Sequence, residues 1–358
     1  MNKTYIIAEA GVNHNGSLEM AKELVKVAKA AGADAVKFQT FKAENLVTKL
    51  AQQADYQVEN LKEATSQFEM LKKLELTYEE FVDLQSFCNM NQIEFLSTPF
   101  DFESVDFLLD DIAIATAKIP SGELTNAPFI HYVATKRKPI ILSTGMATIE
   151  EIHEALAFLS FGLLNAEEPV TIERVHEVYA TDKAKEALKK YVTLLHCTTQ
   201  YPAPMDSINL KAMIEMEKIF QLPIGLSDHS KGIHIPLAAV SMGATVIEKH
   251  FTLDHTLEGP DHIASLNPEE LEAMIIGIRE VEKALGDGIK SPTPIELQNR
   301  IPARKSLVAK MLIKAGEVFT TENLTVKRPG NGVEPSKYWE YIGKVATKSY
   351  DEDELIDE

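Results

Sequence analysis

The stretch PIGLSDHS, residues 223–230, and its neighbour TVIEKHFT, residues 245–252, decide how this chain folds. Each is a short apolar run that turns polar near its C-terminal end and carries a histidine there. Short apolar runs set between amphipathic segments read as parallel strands buried on both faces. Working backwards from this pair, six more runs of the same kind appear: YIIAEAG (5–11), AVKFQT (35–40), EFLSTPF (94–100), AIATAKIPSG (113–122), PIILSTGM (139–146) and VTLLHCTTQYP (192–202). Between them lie segments such as SLEMAKELVKVAKAAG (17–32) and TIEEIHEALAFLSFG (148–162), with apolar residues at i, i+3, i+4 and i+7. A last one, NPEELEAMIIGIREVEKALG (267–286), follows the eighth run. Eight strand-then-helix units predict an α/β protein, a (β/α)8 TIM barrel over residues 1–286. An open, doubly wound sheet would more often place a glycine-rich phosphate turn after its first strand, and EAGVNHNGS lacks that spacing.

A length of 358 residues leaves room for a barrel and a small companion domain. The hydrophobic share of 45%, against 25% charged residues, supports a sizeable core. No apolar run reaches the ~18 residues of a membrane span, and MNKT leads into the first strand without a signal-peptide pattern, so a cytoplasmic protein is expected. A formal net charge of −18 disfavours nucleic acid and anionic membranes as partners. Cys88 and Cys197 are too few for a disulfide framework and read as small buried hydrophobes.

The proline-rich segment at residues 287–302 reads as a linker. Residues 303–358 hold short β-branched runs separated by KAGE and RPGNG, a β-rich domain small enough to be marginal alone. Two insertions break the barrel rhythm. Residues 42–77 are polar and helix-prone and follow strand 2, at the barrel end where loops shape active sites. Residues 165–190 fall on the opposite face and are expected to be peripheral.

Barrel chemistry resides at the C-terminal ends of strands, and polar residues collect there. Strand 1 offers Glu9, with Asn13 and His14 beyond it, strand 2 Lys37 and Gln39, strand 3 Ser97 and Thr98, and strand 4 Lys118, Ser121 and Glu123. Strand 5 offers Ser143 and Thr144, strand 6 His196, Thr199 and Tyr201, strand 7 Ser227, Asp228 and His229, and strand 8 Glu248, Lys249 and His250. Lysines inside an apolar barrel mouth are costly without an anion beside them. Lys37 and Lys118, with the hydroxyls of Thr98, Ser121 and Ser143, therefore point to a phosphorylated, carboxylated small molecule. Strand alternation sets Lys249 and His250 on opposite faces, and Lys249 is assigned to the helix side. His229 and His250, ending neighbouring strands, fit either an open divalent-metal site or a hydrogen-bonding pair.

The motifs AEAGVNHNG, AVKFQTFKA, STPFD, KIPSGEL, ILSTGMAT, LHCTTQYP, GLSDHS, EKHFTLD and GPDH, followed by ARKS and KRPGNG, occur in an order and at intervals that resemble the sialic acid synthase (N-acetylneuraminate synthase) family. The resemblance covers essentially the full length. It implies condensation of phosphoenolpyruvate with N-acetylmannosamine to N-acetylneuraminate, phosphate leaving by C–O cleavage. The alternative within the family is a legionaminic acid synthase acting on a 2,4-diacetamido-2,4,6-trideoxymannose. It further implies that Lys37 and Ser227 bind the phosphoenolpyruvate carboxylate, while Thr98, Lys118, Ser121 and Ser143 hold its phosphate. His229 and His250 would bind a divalent metal, Mn2+ with Mg2+ or Co2+ as alternatives, and Glu9 would lie near the reacting carbons. The sugar would meet Glu123, Thr199, Tyr201, Asp261 and Arg328, the last supplied across a domain-swapped homodimer by an antifreeze-like (SAF) tail. The family often has asparagine where Thr199 stands. A tail acting instead as a surface-binding module, as its ice-binding relatives do, would need a flat, weakly polar face, which the cationic KRPGNG turn does not offer.

Overall fold

The computed structural model describes residues 3–53 and 66–357, so residues 54–65 of the 42–77 insertion lie outside the described residues. The chain divides into two compact units, Met1–Gly286 and Asp287–Glu358. In the first, eight parallel strands are ordered β3-β2-β1-β8-β7-β6-β5-β4. They are β1 (Tyr5–Gly11), β2 (Ala35–Thr40), β3 (Glu94–Pro99), β4 (Ala117–Ile119), β5 (Ile140–Ser143), β6 (Val192–Cys197), β7 (Ile224–Asp228) and β8 (Val246–His250). Ladder bonds join each neighbour in that order, and β3 and β4 face each other across the one seam, giving a TIM barrel.

The helices form where the sequence supplies both an apolar stripe and caps. Helix Leu18–Ala31 starts on Ser17, whose side chain accepts from the Met20 amide, and ends on Gly32 at φ 88°, which a side-chain-bearing residue adopts only under strain. It buries Ala21, Leu24, Val25, Ala28 and Ala31. Capping boxes open helices Tyr78–Met90, Ile149–Leu164 and Pro268–Leu285, each with a glutamate answering the cap residue. These stripes pack on the outward residues of the strands to make one continuous core. Helices Ile172–Tyr179 and Asp182–Tyr191, from the 165–190 insertion, add Val175, Val178 and Leu188 to its outer edge.

Inside the barrel, the pleat sorts side chains into storeys. Ile7, Ala35, Leu96, Ile141, Leu195 and Val246 form a buried apolar layer. Gly225 belongs to the same storey, where an added Cβ would lie 2.4 Å from the Val246 carbonyl and 2.6 Å from Leu195, so nothing larger fits. Two residues further along each strand comes the next storey, and it is polar.

One strand is shorter than its sequence suggests. AIATAKIPSG reads as ten residues of strand, but only Ala117–Ile119 pair with a neighbour. A widened helical turn at Phe107–Asp111 runs up to it, Ala113 sits at φ 52°, and the Ile114 amide bonds back to the Leu108 carbonyl. Those bonds commit the apolar residues before Ala117 to the preceding helix end.

In the second unit, β9 (Ser306–Ala309) and β10 (Leu324–Lys327) pair antiparallel. Single bridges such as Ile313↔Tyr350 and Val318↔Val345 extend the β character around a core of Leu307, Ile313, Phe319, Leu324, Val333, Tyr350 and Ile356. The segment read as a linker holds two short helices, Pro294–Gln298 and Arg300–Ala303, the first started by a Thr293/Glu296 capping box that the TPIE sequence already contained. No helix among the described residues is long and apolar enough to cross a membrane.

Candidate active site

The polar storey opens into a cavity of about 390 Å3 at the C-terminal ends of the strands. Glu9, Lys37, Thr98, Lys118, Ser121, Glu123, Ser143, Thr199, Tyr201, Ser227, His229, His250 and Asp261, each expected at the site, all line it. Parity decides which other strand-end residues do not. Ser97 faces outward and bonds the Thr40 hydroxyl at 2.7 Å, Thr144 donates to the Leu195 carbonyl, and His196 bonds the Ile208 carbonyl at 2.6 Å. Asn13 ties loops together through the Phe251 carbonyl and Ser265, and His14 accepts from the Gly16 amide. Lys249 lies behind the site, fully buried, 2.6 Å from Asp228 and bonded to the Ser230 carbonyl. Asp228 also accepts from the Ser230 amide and hydroxyl, so the ends of β7 and β8 are locked together just behind His229 and His250.

The floor is a charge network drawn from seven of the eight strands. Lys37 Nζ lies 2.6 Å from Glu9 Oε2 and 3.6 Å from Glu248 Oε2, and donates to Thr98 Oγ1 at 2.9 Å. Lys118 Nζ lies 3.5 Å from Glu248 Oε1 and donates to Ser143 Oγ at 2.7 Å. Ser227 Oγ donates to Glu248 at 2.8 Å. The sequence placed Glu248 at a strand end but attached no role to it. It is the hub of the network, and it supplies from within the protein the negative charge that the two lysines require.

Electrostatics follow from that arrangement. Burial works to raise the Glu248 carboxyl, but Lys118 and Lys37 outweigh it and bring it down to about 2. Burial raises Glu9 to about 7 despite Lys37. Burial lowers Lys118 below the usual lysine range, whereas Glu248 and Glu9 overcome burial at Lys37 and raise it. Asp261 is pushed up to about 6 by burial.

The rim is held by backbone bonds to the histidine segments. The Ala203 amide donates to the His229 carbonyl, which brings the Tyr201 ring to 4.0 Å from the His229 ring, and the Leu266 amide donates to the His250 carbonyl beside the Asp261 loop. Thr199 Oγ1 lies 3.4 Å from Ser121 Oγ and 2.4 Å from where a Cβ on Gly145 would stand, so glycine is what lets this hydroxyl approach. Cys197, expected to be a buried hydrophobe, is buried and also lines the cavity. Arg328 belongs to the second unit, where it is exposed directly after β10.

The histidines suit a metal better than they suit each other. His229 Nδ1 lies 2.7 Å from the Thr198 carbonyl, which can only accept, so Nδ1 carries the proton and Nε2 keeps its lone pair. His250 Nδ1 is buried without a hydrogen-bond partner, and the ring centroids are 5.5 Å apart. Burial keeps both imidazoles neutral, His229 at about 4 and His250 also well below the ordinary range. Among the described residues no group of three or more His, Cys, Asp or Glu is placed to hold a metal ion. Two neutral imidazoles form an open donor set, which leaves most of the coordination sphere to water and substrate.

A barrel with a one-ended polar well and an imidazole pair at its rim gathers its charged side chains around one cavity, as barrel enzymes do. The chain belongs to the NeuB family, which matches residues 24–290, and residues 304–358 match the SAF domain. It is 50% identical over 358 residues, all of both chains, to N,N′-diacetyllegionaminic acid synthase of Campylobacter jejuni. It is 46% identical over 339 residues to the enzyme of the same name from Legionella pneumophila, covering 95% of this chain and 89% of that one. A crystal structure of N-acetylneuraminic acid synthetase from Leptospira borgpetersenii superposes with a TM-score of 0.68 at 31% identity, covering 83% of this chain and 90% of that one. The chain is thus a nonulosonic acid synthase. The relatives at 50% and 46% favour the legionaminic alternative over the N-acetylneuraminate expectation.

Proposed function

We propose that the protein is an N,N′-diacetyllegionaminic acid synthase, condensing phosphoenolpyruvate with a 2,4-diacetamido-2,4,6-trideoxymannose and releasing phosphate. The observation that carries this reading is the 50% identity along the whole chain to an enzyme of that name. Lys37 and Ser227 hold the carboxylate of phosphoenolpyruvate on the floor, and Lys118, Thr98, Ser121 and Ser143 hold the phosphate. Glu123, Thr199, Tyr201 and Asp261 orient the acceptor at the rim, with Arg328 of the partner subunit in a domain-swapped homodimer completing that contact.

The enol carbon attacks the open-chain aldehyde, and positive charge develops on the carbon bearing the phosphate oxygen. Water adds there, its two protons passing to the former aldehyde oxygen and to the departing phosphate, and the C–O bond to phosphate breaks, leaving the keto acid. Fixed charges supply the stabilisation: Lys37 and Lys118 neutralise the anionic substrate, while the Glu248 carboxylate beside them faces the cationic carbon and Glu9 lies near the reacting carbons. His229 and His250 would hold a divalent cation, Mn2+ or in its place Mg2+ or Co2+, which when bound polarises the acceptor aldehyde as a Lewis acid.

Incubating purified enzyme with phosphoenolpyruvate and each candidate sugar, then weighing the product by mass spectrometry, tests the reading. The diacetamido sugar is expected to give its nonulosonic acid far faster than N-acetylmannosamine gives N-acetylneuraminate. A reversed preference rejects the assignment.

A further inference from the structure

The residues around the cavity are not uniform. Its floor is charged, yet one side of the mouth is an apolar wall made by Phe41, Leu46, Val47, Met70, Leu71 and Leu74. Phe41, Met70 and Leu74, with Val12, form a small cluster separate from the barrel core, and Leu46 and Leu71 pack against it. Helix Gln67–Leu74 turns this face to the cavity and leaves Lys72 and Lys73 exposed.

The wall is also fixed in place. A Ser66/Glu69 capping box starts the helix, Lys72 bridges Glu44 and Glu75 at 3.1 and 2.8 Å, and Glu75 accepts from the Ala43 amide at 2.6 Å. Segments 42–46 and 66–75 are therefore one tied unit. Packing alone would account for the buried Met70 and Leu74, but Leu46, Val47 and Leu71 are only half-buried, and the surface they leave uncovered faces the site.

We infer that this wall selects the acceptor by receiving its deoxygenated C6 end. The inference rests on the acceptor proposed above and extends it to the residues that recognise it. With phosphoenolpyruvate on the floor and the aldehyde directed towards it, the far end of an open-chain sugar reaches the mouth. A methyl group at C6 loses water against Leu46 and Leu71 favourably. A hydroxyl at the same position gives up its hydrogen bonds to water against the carbon of Leu46 and Leu71, and Gln67 is the polar side chain that this helix adds to the lining. The selecting element is thus the pair of tied segments 42–47 and 66–75.

The test uses N-acetylmannosamine and its 6-deoxy analogue, which differ only in that hydroxyl, alongside the diacetamido sugar. With wild-type enzyme the 6-deoxy analogue is expected to exceed its parent in kcat/KM by about 10-fold. Leu71→Gln is expected to erase that advantage and to lower use of the diacetamido sugar by about 10-fold, with the KM for phosphoenolpyruvate unchanged. Leu46→Gln, on the other tied segment, provides the same measurement if Leu71→Gln does not fold. Equal wild-type rates for the matched pair overturn the inference. So does a variant that slows both members equally. A wild-type preference for N-acetylmannosamine over the diacetamido sugar instead rejects the proposed acceptor, and the matched pair still reports on the wall.

Discussion

Replacing Lys118 by methionine isolates one of the two floor ammonium groups while nearly preserving side-chain length. Lys118 Nζ stands 3.5 Å from Glu248, and at an effective dielectric near 20 two unit charges at that distance attract by roughly 5 kcal/mol before desolvation is counted. The net loss to folding is smaller, because Glu248 keeps Lys37 at 3.6 Å and the Ser227 hydroxyl, and because a costly buried ammonium disappears. Ligand binding has no such compensation. Truncating one partner of a buried, hydrogen-bonded charge pair costs about 2–5 kcal/mol, equivalent to roughly 30- to 5,000-fold in affinity. Lys118→Met should therefore weaken phosphoenolpyruvate binding at least ~30-fold by titration calorimetry without acceptor, and leave the acceptor KM within about 3-fold. An unchanged affinity for phosphoenolpyruvate, or an equal loss for both substrates, would show that Lys118 serves only to neutralise Glu248.

His229→Ala and His250→Ala should each lower Mn2+ affinity at least ~10-fold by calorimetry while circular dichroism stays unchanged. Undiminished binding in either variant removes that residue from the ligand set. Arg328→Ala should weaken acceptor use with little effect on phosphoenolpyruvate. Mixed in equal amounts with His229→Ala it should recover about a quarter of wild-type activity, since half the dimers are mixed and each has one intact site; no recovery after verified subunit exchange would refute the swapped arrangement. Burial holds the folded Asp261 carboxyl at about 6, above its ordinary 3.8, so its contribution to stability is complete below 3.8 and is lost as pH rises through about 6. Asp261→Asn is accordingly expected to stabilise the fold by up to about 3 kcal/mol at pH 8 and about half as much at pH 5, measured by urea unfolding; a gain that does not depend on pH would contradict this.

The barrel is legible in the sequence because its strands are short, apolar and regularly spaced, and because period-two alternation is simple arithmetic. That arithmetic sends Lys249 to the helix side and His250 to the cavity, as observed. It also separates Ser97 from Thr98 and His196 from Cys197, a distinction a list of strand-end polar residues misses. Partners across the barrel are harder to read. Glu248 meets Lys37 of β2 and Lys118 of β4, and no local pattern announces a contact made only when the sheet closes. The lysines pointed to an external anion, whereas two carboxylates of the same chain already stand beside them. The apolar wall escaped notice for a related reason. Residues 42–77 look polar by composition, and only the turn of helix Gln67–Leu74 gathers Met70, Leu71 and Leu74 on one face.

The apolar storey of Ile7, Ala35, Leu96, Ile141, Leu195 and Val246 closes the barrel beneath the charged one. A shaft sealed at its base has a single doorway, and its occupants must queue. A molecule seated on Lys37 and Lys118 enters before anything resting against Tyr201 and Leu71. The rim occupant in turn blocks departure from below, so an intermediate joined to both positions is shut in until the rim clears.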